Sequence, residues 1–275
     1  MLRLCFRAGV ITCIVAFAAG CGGSSSSSSS NTTVVLQVVP GPWTGTYNLS
    51  GGSNEQVTGA VSSSGFGYFA DKNGYVFLIE NVPQQSPFTG TAIGTAPSGQ
   101  IFPDGSNVDT FIVNGTYSST AASTLMQASL TGIDPNSYTT YAGYTLTGVN
   151  GNFTLNSAVT YNGVPTISAL QGLWNGYYIG TSSTSVDITV NPDATFNGND
   201  GNGCTISGSL VQQDPGTNLY YVNYKASGTG CPGYMNGLAY VSTKDVSGDF
   251  SNAAGTYLYM GIFSPSIAYS VELKM

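Results

Sequence analysis

Apolar and polar residues alternate with a period of two along much of this chain, in short runs broken by Gly, Asn, Asp and Pro. Ser185-Val186-Asp187-Ile188-Thr189-Val190 alternates residue by residue, and Asn191-Pro192-Asp193 then turns the chain. Further predicted strands run over Cys204 to Val211, Leu219 to Tyr224, Asn236 to Thr243, Gly255 to Ile262 and Ile267 to Leu273. Asn197 to Gly203 and Asp214-Pro215-Gly216 read as turns between them. Earlier in the chain, Phe66 to Ala70 and Tyr75 to Ile79 flank Asp71-Lys72-Asn73-Gly74, a hairpin signal. Thr110 to Tyr117, Leu125 to Leu130, Tyr138 to Leu146 and Asn152 to Tyr161 follow as strands. No segment sustains a helical period, so the expectation is an all-β protein.

The chain has two tryptophans, in nearly identical settings. Gly41-Pro42-Trp43-Thr44-Gly45-Thr46-Tyr47 and Gly172-Leu173-Trp174-Asn175-Gly176-Tyr177-Tyr178 both read G-x-W-x-G-x-Y, 131 residues apart. This predicts two domains of one type, each opening with this strand. The first spans 40–166, the second 167–275, and the join falls near Val164-Pro165-Thr166-Ile167-Ser168. About eight short antiparallel strands in each points to a small closed up-and-down β-barrel. Closure removes exposed strand edges, and this chain has few charges to guard them.

The N-terminus follows different rules. Arg3 and Arg7 precede an uncharged stretch from Ala8 to Gly20, too short to span a bilayer. Phe17-Ala18-Ala19-Gly20-Cys21 resembles the lipobox of bacterial lipoprotein precursors, with Ala18 in place of the usual Leu. The resemblance implies a signal peptide over 1–20, cleavage before Cys21 and lipid attachment at Cys21. Residues 21–39 then form the lipidated Cys and a flexible linker, since Ser24 to Ser30 offers nothing to bury. Gly22 stands where Asp signals inner-membrane retention in Gram-negative lipoproteins, so the resemblance implies the outer membrane, on either face.

Charge narrows the function classes. Both arginines lie in the leader, leaving Lys72, Lys225, Lys244 and Lys274 against 13 acids. Such a chain cannot neutralise a run of phosphates, so nucleic acid is excluded as a partner. There is no histidine, which removes the commonest general base and most zinc and copper sites. A carboxylate-based glycosidase needs none and stays open as a third reading. The acids sit mostly beside Gly, Asn or Pro in turn-like contexts, so neither a catalytic residue nor a cofactor is expected. Cys204 and Cys231 are the remaining cysteines once the leader is removed and Cys21 acylated, and an even pair in an exported chain reads as a disulfide.

Three groups are candidate sites. Asn197 to Gly203 packs Asn and Asp oxygens like a calcium loop but lacks the EF-hand spacing, so a hairpin turn is expected. Trp43 and Trp174 either line a ligand cavity or plug the barrels. Tyr220, Tyr221 and Tyr224, with Tyr234 and Tyr240, either form an exposed aromatic face or belong to a barrel core. The alternation around Tyr221 places one ring inward and its neighbours outward.

The G-x-W opening resembles the first signature of lipocalins and related calycin barrels. There the Trp closes one end of the barrel beneath a late-strand Arg; here no Arg follows the leader. The chain is similar over nearly its whole mature length to a group of uncharacterised Gram-negative outer-membrane lipoproteins with tandem lipocalin-like β-domains opening W-x-G-x-Y. Their second domain carries a strand like Gly203 to Gly208 and a later Cys-Pro, here Cys231-Pro232. The expectation is a membrane-anchored, non-catalytic binding module in the cell envelope, engaging an envelope or host protein. The alternative is a lipocalin-like carrier of a small apolar ligand.

Overall fold

A computed structural model describes residues 40–80, 86–97, 100–119, 124–133, 146–157, 166–180, 184–212, 218–243, 253–264 and 267–275. The predicted leader, Cys21 and the serine linker lie outside the described residues, as do Tyr138 to Thr145 and Val164-Pro165.

The two tandem antiparallel barrels expected from the sequence are present. The first is built from β1 (Gly41–Leu49), β2 (Glu55–Val61), β3 (Gly67–Asp71), β4 (Val76–Glu80), β5 (Phe88–Thr95), β6 (Val108–Ser119), β7 (Thr124–Ile133) and β8 (Leu146–Ser157). A short 3₁₀ turn (Ile167–Leu170) leads into the second. Its strands are β9 (Gly172–Tyr178), β10 (Ser185–Val190), β11 (Thr195–Asp200), β12 (Thr205–Gln212), β13 (Leu219–Ser227), β14 (Gly233–Ser242), β15 (Tyr257–Ser264) and β16 (Ile267–Lys274). In each barrel every strand pairs with the next, and the last returns to the first.

The repeated motif makes that closure. Gly41 and Gly172 have φ of 136° and 128°, a region that favours Gly. A Cβ on Gly45 would sit 2.0 Å from the Thr154 carbonyl of β8, and one on Gly176 would sit 1.9 Å from the Glu272 carbonyl of β16. The second motif glycine therefore lets the closing strand approach the opening one. Trp43 and Trp174 point inward at 0% exposure. Trp174 Nε1–H donates to the Leu170 carbonyl at 2.7 Å, so the 3₁₀ turn caps that end of the second barrel.

Inward positions fill both lumens with side chains. In the first barrel Phe77 meets Tyr47, Phe102, Phe111 and Phe153 at ring-centroid distances of 4.9, 6.5, 6.2 and 5.1 Å. Outward positions such as Thr44, Asn114, Asn152, Asn175, Asp187 and Asn223 are polar and exposed. Apolar-in, polar-out is the reverse of a membrane-spanning barrel, whose outer face carries the apolar band.

Several elements differ from the sequence reading. Asn197 to Asp200 belong to β11, and the turn is confined to Gly201 to Gly203. β8 runs straight through Asn150-Gly151, a pair that looks like a turn but is held between strands, Gly151 opposite both Leu49 and Leu130. β2 and β5 escaped the sequence reading because their Thr and Gly content hides the alternation.

β3 and β15 break the alternation for another reason. Every residue of β3 is buried, as are Tyr257 to Ile262 of β15. One face looks into its own lumen and the other packs on the neighbouring barrel, where β2, β3 and β4 meet β14, β15 and β16. The Tyr68 hydroxyl donates to Ser270, and the Tyr240 and Thr58 hydroxyls are 2.8 Å apart. The Tyr68 ring lies over Gly261, where a Cβ would come within 2.1 Å of it. Ala60, Ile179, Leu219, Leu238, Tyr240, Tyr257 and Tyr259 form one apolar cluster across this seam. Glu272 is fully buried and accepts from the Tyr259 hydroxyl.

Candidate functional site

One arrangement occurs in both barrels. The motif tyrosine at the end of the first strand reaches the aspartate that ends the third strand. Tyr47 donates to Asp71 Oδ2 at 2.8 Å, and Tyr178 donates to Asp200 Oδ2 at 3.1 Å. The other carboxylate oxygen organises the following turn. Asp71 Oδ1 accepts from the Asn73 and Tyr75 amides at 2.9 and 2.8 Å. Asp200 Oδ1 accepts from the Asn202 and Cys204 amides, both at 2.9 Å. Both turns read Asp-x-Asn-Gly: Asp71-Lys72-Asn73-Gly74 and Asp200-Gly201-Asn202-Gly203. In the sequence the first reads as a hairpin, and the second is hidden inside the longer turn-like run Asn197 to Gly203. The recurrence of this tetrapeptide after each tryptophan motif is the signal that reveals the shared clasp.

Burial raises the Asp71 carboxyl above its ordinary value, while hydrogen bonds from Tyr47, Tyr75 and Asn73 pull it back down. Burial, reinforced by the neighbouring Asp71 charge, likewise raises the Tyr47 hydroxyl. Burial also lifts Tyr178, next to Tyr224 and Asp200. Neither tyrosine ionises near neutrality, so each serves as a standing donor. Each aspartate is thus tied to its own turn through one oxygen and to the opening strand through the other.

The residue after each turn differs. In the second barrel it is Cys204, bonded to Cys231 of the β13–β14 connection with a Cα–Cα distance of 5.9 Å, as expected from the sequence. In the first barrel it is Tyr75. Its ring meets Phe102 of the β5–β6 connection edge-on at 5.5 Å, and its hydroxyl donates to the Ile101 carbonyl at 3.2 Å. The aromatic pair stands where the other barrel has a covalent bridge.

A cavity of about 470 Å³ opens at this end of the first barrel. Three hairpins line it: Tyr47 to Leu49 with Gly52, Ser53 and Glu55; Asn73 with Tyr75; and Ile101 to Pro103. Asn48 Nδ2–H donates to Asn54 Oδ1 at 2.9 Å, and Ser53 Oγ–H donates to Glu55 Oε1 at 2.9 Å. No lining residue is positively charged. A second hollow of about 350 Å³ lies between the barrels, lined by Val76, Leu78, Ile93, Val108, Tyr234 and Phe263 among others.

Of the sequence candidates, Trp43 and Trp174 are core residues packed with the other luminal side chains. Tyr221 points outward at 36% exposure while Tyr220 and Val222 point inward, which corrects the inward placement of a single ring between outward neighbours. The five tyrosines do not share a face: Tyr220, Tyr224 and Tyr240 are buried, and Tyr234 is 75% exposed beneath the Lys225 ammonium, 4.8 Å from its ring centroid. Among the described residues, no three of His, Cys, Asp or Glu come together, and Asn197 to Gly203 is strand and turn. No protein-family model, curated protein or solved structure matches this chain.

Proposed function

We propose that this chain is an outer-membrane lipoprotein, anchored through an acylated Cys21, that works as a non-catalytic binding module of the bacterial cell envelope. One observation carries the binding part of this reading. Both lumens are packed with aromatic and aliphatic side chains, while hollows lie outside them, two of these at the first barrel's mouth and between the barrels. Pockets of roughly 300–1,000 Å³ at barrel mouths and domain interfaces are where small ligands bind. The polar outer strands and the scarcity of positive charge favour a neutral or protein partner over nucleic acid.

A small apolar ligand is the second reading. The hollow between the barrels favours it, because Val76, Leu78, Ile93 and Phe263 give it aliphatic and aromatic walls. Such a ligand would sit between the barrels instead of within a lumen.

Native mass spectrometry of the protein extracted from its own membrane tests both. The expected result is an acyl mass at Cys21 with a retained polypeptide or small molecule. A protein carrying neither lipid nor companion argues against the reading. A retained apolar molecule favours the second one.

A further inference from the structure

We infer that the mouth of the first barrel is a binding site for a neutral saccharide, and that the second barrel is its structural twin in which the equivalent mouth is stapled. This deepens the binding reading and rests on it.

The argument starts from what the lining offers. Tyr75, Ile101 and Phe102 contribute aromatic and aliphatic surface, and Ile101 is exposed. Asn48, Ser53, Asn73 and Glu55 contribute amide, hydroxyl and carboxylate groups around the same cavity. A sugar ring has this same double character, with C–H faces that pack on aromatic surface and hydroxyls that both donate and accept. A purely apolar guest would strip water from these polar groups without replacing its hydrogen bonds, which is costly. An anionic guest would meet the Glu55 carboxylate with no cation in the lining to offset it. Glu55 accepts one hydrogen bond from Ser53, and a carboxylate has further acceptor capacity for ligand hydroxyls. The cavity volume of about 470 Å³ has room for one or two sugar rings.

The floor of the site is rigid. Tyr47 lies beneath it, held by Asp71, which also fixes the turn that carries Asn73 and Tyr75. Phe102 packs on Phe111 at 5.8 Å and so anchors the third hairpin to the core. A site whose walls are already fixed loses little freedom when a ligand arrives. In the second barrel the same turn is bonded through Cys204 to Cys231, which ties two rim hairpins together. The shared clasp thus holds an aromatic wall in one copy and a staple in the other.

The test uses the full acylated protein in a detergent without a sugar headgroup. Maltotriose, cellotriose and N,N′-diacetylchitobiose are titrated by calorimetry, with 1-naphthol as an apolar comparison. Backbone amide shifts are followed in parallel. The expected result is saturable binding of at least one saccharide, with shifts confined to the hairpins carrying Ser53, Asn73 and Ile101. Glu55→Ala should weaken it by about 10-fold or more. Glu55→Gln, which keeps an acceptor oxygen, should recover part of that loss. Leu173→Ser, on the exposed face of the second barrel, should leave the affinity unchanged and shows whether loss is local. Amide spectra establish that each variant keeps its fold. Three outcomes overturn the inference: no saccharide binds, Glu55→Ala binds as well as the parent, or the shifts fall in the second barrel. If only 1-naphthol binds, the saccharide class is wrong while the binding reading stands. A companion found by native mass spectrometry judges that reading separately.

Discussion

After the shared Asp-x-Asn-Gly turn, the first barrel continues with Tyr75 and the second with Cys204. The hydrogen bonds that lead to this residue are matched between the copies. The motif tyrosine bonds the aspartate, and the aspartate bonds the amides two and four residues on. The next contact differs in kind: Tyr75 meets Phe102 through ring edges, and Cys204 joins Cys231 through a covalent bond. The duplicated clasp orients the chain at the rim, and the following side chain then decides whether the rim is locked or offers a wall. Fold and rim chemistry are separable in this architecture.

That separation can be attacked at four levels. The largest effect belongs to the plug that both copies share. Trp174→Ala should destabilise the second barrel by about 3–5 kcal/mol, because it opens a cavity in a filled lumen. It also leaves the Leu170 carbonyl without its indole donor. Denaturant unfolding followed by the remaining Trp43 fluorescence would show whether the first barrel falls with it. Coincident loss would mean that the seam couples the two.

The staple comes next. Cys204→Ser with Cys231→Ser should cost the second barrel about 3 kcal/mol, from the 27-residue separation that the bond closes. The first barrel should resist reducing agent, since an aromatic pair holds its rim. Amide hydrogen exchange with and without reductant reads the contrast directly. Equal sensitivity of both barrels would break it.

Gly261→Ala should cost about 1–3 kcal/mol by forcing a methyl into the Tyr68 ring. Because the clash lies in the seam, it should split one cooperative unfolding transition into two. A single transition at lower denaturant would mean the barrels adjust without parting.

The clasp itself comes last, with one tyrosine hydrogen bond at stake in each copy. Tyr47→Phe removes one hydrogen bond to a buried carboxylate, and about 1–3 kcal/mol is expected. Tyr178→Phe should do the same in the second copy, and a large difference between them would argue that the clasps are not equivalent. Asp71 adds a pH dependence. Its carboxyl is raised on folding, so the native state holds the proton more tightly than the unfolded chain. The contribution is complete below the ordinary Asp value of about 3.9 and is lost as pH rises through the raised folded value. Asp71→Asn, which keeps an acceptor oxygen for the turn amides, should flatten that slope in chemical denaturation measured across pH.

Much of this plan was legible in the residue order. The two G-x-W-x-G-x-Y segments marked the opening strand of each barrel, and Ser185 to Val190 read as the strand it is. The Cys204–Cys231 disulfide is the pair expected of the two cysteines that lie beyond the proposed leader and Cys21. The phase of the tyrosines near Tyr221 is not legible in the sequence, because the run Leu219-Tyr220-Tyr221-Val222 carries apolar character at every position. An unbroken apolar run does not reveal its phase. The ladder does, with Tyr220 and Val222 buried and Tyr221 outward. The cavity residues were invisible for another reason. Glu55, Asn73 and Ile101 lie on three hairpins and have no common spacing, and only the barrel brings them to one rim.

The sequence by itself determined the local terms: the period-two alternation, the turns and the closing glycines of each motif. These depend on backbone geometry and near neighbours, so they can be read in order along the chain. Tertiary structure alone decided which outer faces meet. Alternation separates inside from outside but does not distinguish an outer face in water from one against a second barrel. β3 and β15 are buried on both faces, and Glu272 and the tyrosines around it lie in the seam, because two closed barrels happen to present those strands to each other.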